Sequence, residues 1–108
     1  MTATLSAPPR LLSVVIPAHN EEGSIRPVLR ALCMELQTAG IAYEIVVAND
    51  HSADDTRGAV MEVAREFPGV RCVDNPREGG FGLAVRAGLD AFAGDAVAIV
   101  MADGSDPP

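Results

Sequence analysis

Asp50 and Asp103 each close an apolar run, YEIVVAN and AVAIVMA, and each opens into a short polar loop. Parallel strands bring such ends to one edge of a sheet, so carboxylates far apart in sequence can share a site. An acidic group there accepts hydrogen bonds, and an acidic cluster binds Mg2+ for chemistry on phosphates. Gly79, Gly80 and Gly82 add a second feature. They allow close backbone approach at a helix N-terminus, which can hold phosphate, and they also permit a tight strand-to-helix turn. GGFG is not a full GxGxxG and no Lys-Ser/Thr follows it, so the turn is the preferred reading.

The elements that must position these residues follow from apolar periodicity. LLSVVIPA, residues 11–18, is a continuous apolar run ending at Pro17, as expected of a strand covered on both faces. Ser24 is placed to cap a helix bearing Ile25, Val28, Leu29, Leu32 and Leu36, with Pro27 in its first turn and Gly40 beyond its end. Tyr43 to Asn49 reads as the second strand and residues 54–67 as the second helix, striped by Val60, Val63, Ala64 and Phe67. Ser52 with Asp55 resembles a capping box. Pro68-Gly69 stops that helix before the short strand VRCV. A third helix is predicted from Phe81 to Phe92, then a turn at Gly94-Asp95 and a fourth strand, AVAIVM. The order βαβαβαβ with right-handed crossovers predicts an α/β fold, a Rossmann-like parallel sheet with helices on both faces. Residues 1–10 read as a flexible tail, because SAPPR offers little to bury. No sequence period recurs between units. A fourth strand that ends at ADGSDPP normally leads into further structure, so residues 11–108 are expected to be truncated at the C-terminus, with an uncovered sheet edge open to self-association.

Composition limits the ligands. The 108 residues suit one small domain, and 48% are apolar with only 4% aromatic and no Trp, which points to an aliphatic core and argues against base stacking on aromatic rows. Fifteen acidic against eight basic residues leave a net charge of −7, which disfavours nucleic acid and anionic membrane as partners. An anionic ligand therefore needs a local device. Cys33 and Cys72 form neither a CxxC pair nor a metal spacing with the two histidines, and are expected to be reduced, buried thiols. No apolar run reaches the length of a membrane span, and MTATLSAPPR lacks a signal-peptide pattern, so the expected location is cytoplasmic.

Four segments together resemble glycosyltransferase family 2 of the GT-A fold, nearest to dolichyl- or polyprenyl-phosphate sugar transferases. VVIPAHNEE (14–22) is similar to that family's opening VIPAYNEE, and ANDHSADDT (48–56) to its VDDGSTDGT. NPREGGFGLAVRAGL (75–89) looks like its glycine-containing turn and helix, and VMADGSDPP (100–108) like its metal segment, commonly DADLQHPP. The matches stand in order and cover nearly the whole chain from Leu12 on.

The resemblance implies the nucleotide-sugar-binding half of a glycosyltransferase, taking a UDP- or GDP-linked donor with Mg2+ or Mn2+. It implies a polyprenyl or other lipid-phosphate acceptor at the cytoplasmic membrane face. Pro17, His19, Asn20 and Glu21 would line the base pocket, and Asp50 would meet the base or ribose. Asn49 stands where the family has the first Asp of that motif. Arg77, Gly80 and Arg86 are candidate phosphate or donor contacts. Ala102 and Asp103 fall in the DxD-like element, with Asp103 the implied metal ligand and Met101 replacing the first Asp; Met is a poor ligand for hard cations. Asp54 and Asp55 suit helix caps better than ligand contacts. The acceptor site and any catalytic base lie in later segments of the family, so this chain alone is expected to transfer little or no sugar. Two other classes share parts of this pattern. A non-catalytic nucleotide-binding module fits the same residues. A response-regulator-like domain would use Glu21-Glu22 and Mg2+, but it also needs a Lys, and the chain has none.

Overall fold

The structure, a computed structural model, describes residues 11–76, 79–91, 94 and 96–101. The expected tail at 1–10 and the residues Arg77, Ala102 and Asp103 lie outside the described residues. The elements run β1 (Leu12–Ala18), α1 (Glu22–Thr38), β2 (Tyr43–Asn49), α2 (Thr56–Glu66), β3 (Val70–Asp74), α3 (Phe81–Ala91) and β4 (Ala96–Ile99). All four strands are parallel, in the order β3-β2-β1-β4, so the α/β, Rossmann-like expectation holds.

Alternation along the strands explains the two helical layers. Val14, Ile16 and Ala18 of β1 and Ile45 and Val47 of β2 pack against Ile25, Leu29 and Cys33 of α1 and Val60 and Val63 of α2. Val15 and Val46, paired in register, point to the other face and are fully buried. There α3 approaches so closely that a Cβ on Gly88 would overlap Cγ1 of Val15. Both faces of the central strands are thus covered, which is why they read as unbroken apolar runs. β4 is the outer strand beside β1, and its Val97 and Ile99 are 41% and 46% exposed.

Several local expectations are corrected. Glu21, not Ser24, is the N-cap of α1; the Ser24 hydroxyl donates back to the Glu21 carboxylate at 2.9 Å, so Pro27 falls in the second turn. At the other end, Gly40 adopts φ +72° and the Ile41 N–H donates to the Leu36 carbonyl at 3.0 Å, a glycine-dependent stop. Asp55, not Ser52, caps α2 by accepting from the Gly58 N–H at 3.1 Å, and the helix starts at Thr56 rather than 54. Both cysteines are free, but Cys72 is only half-buried because β3 is an edge strand. Among the described residues no helix is long and apolar enough to cross a membrane.

β4 ends two residues earlier than its apolar run, and the reason lies in β1. Alternate β1 residues address β4: Val15 accepts from the Val100 N–H at 3.0 Å, and the next to do so is Pro17. Proline has no N–H to donate. The ladder therefore stops at the pair Val15↔Ile99, and the strands part at their C-terminal ends. In a doubly wound sheet this is also where the strand order reverses and ligands enter.

Replacing Gly88 by Ala should test the α3–sheet contact. The substitution gains helix propensity, but Val15 is β-branched and fully buried in the central sheet and cannot move aside. Overpacking of this kind costs about 1–3 kcal/mol. A lowered urea midpoint with unchanged slope is the expected result.

Candidate functional site

A cavity of about 460 Å³ opens where β1 and β4 part. Pro17, Ala18, His19 and Glu21 approach it from the end of β1, Asp50 and His51 from the end of β2, and Met101 from beyond β4. Gly79, Gly80 and Ala84, at the start of α3, complete the lining.

Asp50 is the buried carboxylate of this cavity, 6% exposed. Its backbone N–H continues the β1–β2 ladder by donating to the Ala18 carbonyl at 2.7 Å. Its Oδ1 accepts from the Asn75 carboxamide at 3.1 Å and its Oδ2 from the Gly80 N–H at 2.8 Å. Burial pushes the Asp50 carboxyl upward, but the Asn75 and Gly80 donors, with His51 and His19 nearby, outweigh it and hold the group below the ordinary carboxylate value. The sign of the linkage follows. A lowered folded-state value contributes stability that is complete above the unfolded value and lost as pH falls through the folded one. A carboxylate offers about four acceptor positions, so Asp50 stays ionised with capacity left after these two bonds.

Gly80 sits at φ +141°, a conformation that other residues rarely adopt, and its N–H donates to Asp50. The turn reading of this glycine fits that backbone geometry, with its N–H serving Asp50. A side chain at Gly80 would meet nothing within 4 Å, so the constraint is backbone alone.

The β1 and β2 loops are held by side chains. His19 Nδ1–H donates to the Asp50 carbonyl at 2.6 Å, and its Nε2 lies 3.3 Å from the Asn20 carboxamide nitrogen. Asn20 and His51 both take left-handed backbone, at φ 55° and 53°. Asn20 is suited to this conformation. Its Oδ1 accepts from the Ala53 N–H at 2.6 Å and its N–H donates to the Ser52 hydroxyl at 3.0 Å. Asp54 anchors the start of α1 through the Glu22 N–H at 3.2 Å and accepts from the Thr56 hydroxyl, which helps hold its carboxyl below the ordinary value. Asp54 and Asp55 are thus structural, as their positions suggested.

Of the residues singled out in the sequence, the structure brings Pro17, His19, Glu21, Asp50 and Gly80 to the cavity. Asn20, Asn49 and Arg86 are not among its lining. Asn20 is engaged between the loops, and Arg86 is exposed on α3. Asn49 pairs in register with Asp74 of β3; its amide donates to that carboxylate at 3.2 Å and its Oδ1 accepts from the Ser52 hydroxyl at 2.6 Å. Sequence reasoning missed His51 and Ala84, and gave Asn75 no role; Gly79, named there with its neighbouring glycines, also lines the cavity. The register of β2 with β3 was the missing signal, because it alone sets Asn75 level with Asp50.

The comparisons agree with this geometry. Residues 13–108 match the family described as Glycosyl transferase family 2. A dolichyl-phosphate beta-glucosyltransferase of Trichomonas vaginalis, ALG5A, is 33% identical over 99 residues, covering 87% of this chain and 31% of that protein. A mannosyltransferase of Pyrobaculum calidifontis, solved with GDP-Man and Mn2+, superposes with a TM-score of 0.75 at 27% identity over 91% of this chain and 28% of its own. Glucosyl-3-phosphoglycerate synthase of Mycobacterium tuberculosis, solved with Mn2+, UDP-Glc and phosphoglyceric acid, gives 0.69 at 29% identity over 86% of this chain and 33% of its own. The chain spans about 30% of the length of the curated relatives it matches.

The Asn49–Asp74 pair makes one substitution informative. Asn49→Asp replaces a donor by a second carboxylate facing Asp74, with Arg57 at 3.2 Å as partial compensation. At neutral pH the variant should lose about 0.5–1 kcal/mol, the scale of exposed charge pairs. The loss should disappear once the carboxylates are protonated, as read from urea unfolding at pH 7 and pH 3.

Proposed function

This chain belongs to glycosyl transferase family 2, and from that membership we propose that residues 11–108 are the nucleotide-sugar-binding part of an enzyme that moves a sugar from a nucleotide diphosphate to an acceptor. The observation that carries the reading is Asp50. It is an ionised carboxylate held by two donors in the wall of a cavity at the C-terminal edge of a parallel sheet. Such a group accepts from ribose hydroxyls or ring N–H groups. The His19 ring stands beside it, with contacts at both nitrogens, as a surface against which a base can pack. Pro17 keeps the cavity open by ending the β1–β4 ladder.

The donor is a UDP- or GDP-linked sugar, in keeping with the solved relatives that hold GDP-Man or UDP-Glc. Both relatives also hold Mn2+, and a divalent ion, Mg2+ or Mn2+, is assigned here to Asp103. Among the described residues no group of three His, Cys, Asp or Glu could hold a metal, and Met101 offers only a soft thioether. The hard carboxylate of Asp103, two residues beyond Met101, fits such an ion, which takes few protein ligands and completes its shell with phosphate and water. When bound, the ion supplies stabilisation of charge on the departing diphosphate. With a net charge of −7, the protein needs that bridge to an anionic donor.

The acceptor side is assigned to a lipid phosphate, following relatives such as the dolichyl-phosphate beta-glucosyltransferase, with catalysis completed by residues outside this chain. The described residues then bind and orient the donor without turning it over.

Calorimetric titration with UDP- and GDP-sugars, with and without Mn2+, tests the assignment. Binding should be tighter with the metal, and Asp103→Asn should remove only the metal-dependent increment. Asp50→Ala should weaken binding about tenfold or more, the loss expected for a charge-assisted hydrogen bond. Absence of binding at millimolar ligand would overturn the reading, and an equal loss by Asp103→Asn in metal-free buffer would overturn the metal assignment.

A further inference from the structure

Asn75 has no place in the reading above, yet it is 3% exposed and bonded to Asp50 of the cavity wall. Its backbone N–H donates to the Asn49 carbonyl at 2.9 Å, carrying the β2–β3 ladder one residue past Asp74. The ladder thereby sets its carboxamide beside Asp50, where Nδ2 donates to Oδ1 at 3.1 Å. A buried amide left without a partner would be costly, and this contact satisfies one of its donors. The Gly80 N–H serves the other oxygen, and the two donors define the plane of the carboxylate.

We infer that Asn75 is a positioning residue for nucleotide recognition, acting through Asp50: its carboxamide fixes the orientation of the carboxylate and keeps it in the form that accepts ligand donors. The inference rests on the proposed nucleotide site. It separates two roles that the fold combines, since the backbone of Asn75 extends the sheet while its side chain serves the cavity. Among the described residues, the titratable groups that share the cavity with Asp50 are His19 after β1, His51 from its own loop and Glu21 before α1.

The test is the protonation of Asp50 itself. In the chain labelled with carboxyl-13C aspartate, the Asp50 midpoint is followed by NMR in the parent, in Asn75→Ala and in the isosteric Asn75→Asp. The Ala variant should raise the midpoint. The Asp variant should raise it further, because two adjacent carboxylates share one proton and titrate as a pair. In parallel, the acid limb of UDP and GDP affinity should move up by the same amount, with about a tenfold loss at acidic pH for each unit of displacement. A purely structural role would weaken binding equally at all pH values. An unchanged Asp50 midpoint in folded Asn75→Ala overturns the inference. If that variant does not fold, an unchanged midpoint in Asn75→Asp does so. Failure of the parent chain to bind either nucleotide would overturn the proposed function instead, while a raised midpoint would still support the hold of Asn75 on Asp50.

Discussion

A carboxylate buried at the junction of three loops must be bonded or it will be neutral, and this requirement organises the site around Asp50. Desolvation alone would favour the protonated acid. Two donors reverse that outcome, and each comes from a different element: Asn75 from the end of β3 and Gly80 from the start of α3. The left-hand geometry of Gly80, the extra ladder bond of Asn75 and the short β2 loop are therefore parts of one constraint. Loss of the charge would weaken both connections at once.

The second constraint is an absence of a hydrogen bond. Pro17 stands in the central strand, where proline is ordinarily excluded, and it is tolerated because its missing donor falls just past the end of β4. The same residue that ends the pairing lines the space created by ending it. Beside it, the β1 and β2 loops are cross-bonded through Asn20, Ser52 and His19. The lining is thus rigid on this side before any ligand arrives, which lowers the ordering cost of binding.

Two departures from the family pattern acquire different physical meanings. Asn49 faces Asp74 across the β2–β3 pair, so an amide there is a donor to an existing carboxylate where an acid would repel it. That change is accounted for by a neighbour. Met101, in contrast, lies against the cavity and contributes no hard donor. It reduces the carboxylates available to a cation and leaves the proposed ion more dependent on donor phosphates than on protein.

The alternation of apolar runs with helical stripes was enough to order βαβαβαβ and to give strands such as Tyr43–Asn49 their observed bounds, because burial on both faces leaves an unmistakable pattern. Asp50 was visible for the same reason, as the first charge after such a run. Cap identities were less legible: Ser24, Ser52, Asp54 and Asp55 are all chemically able to cap, and only the contacts between α1 and α2 loops chose among them. Sequence determined that an acidic group would stand at the strand ends. Tertiary structure alone decided that it is ionised, that Asn49 turns to β3 and Asn75 to Asp50, and that Pro17 opens the sheet, since each depends on strand register and on donors from segments distant in the chain.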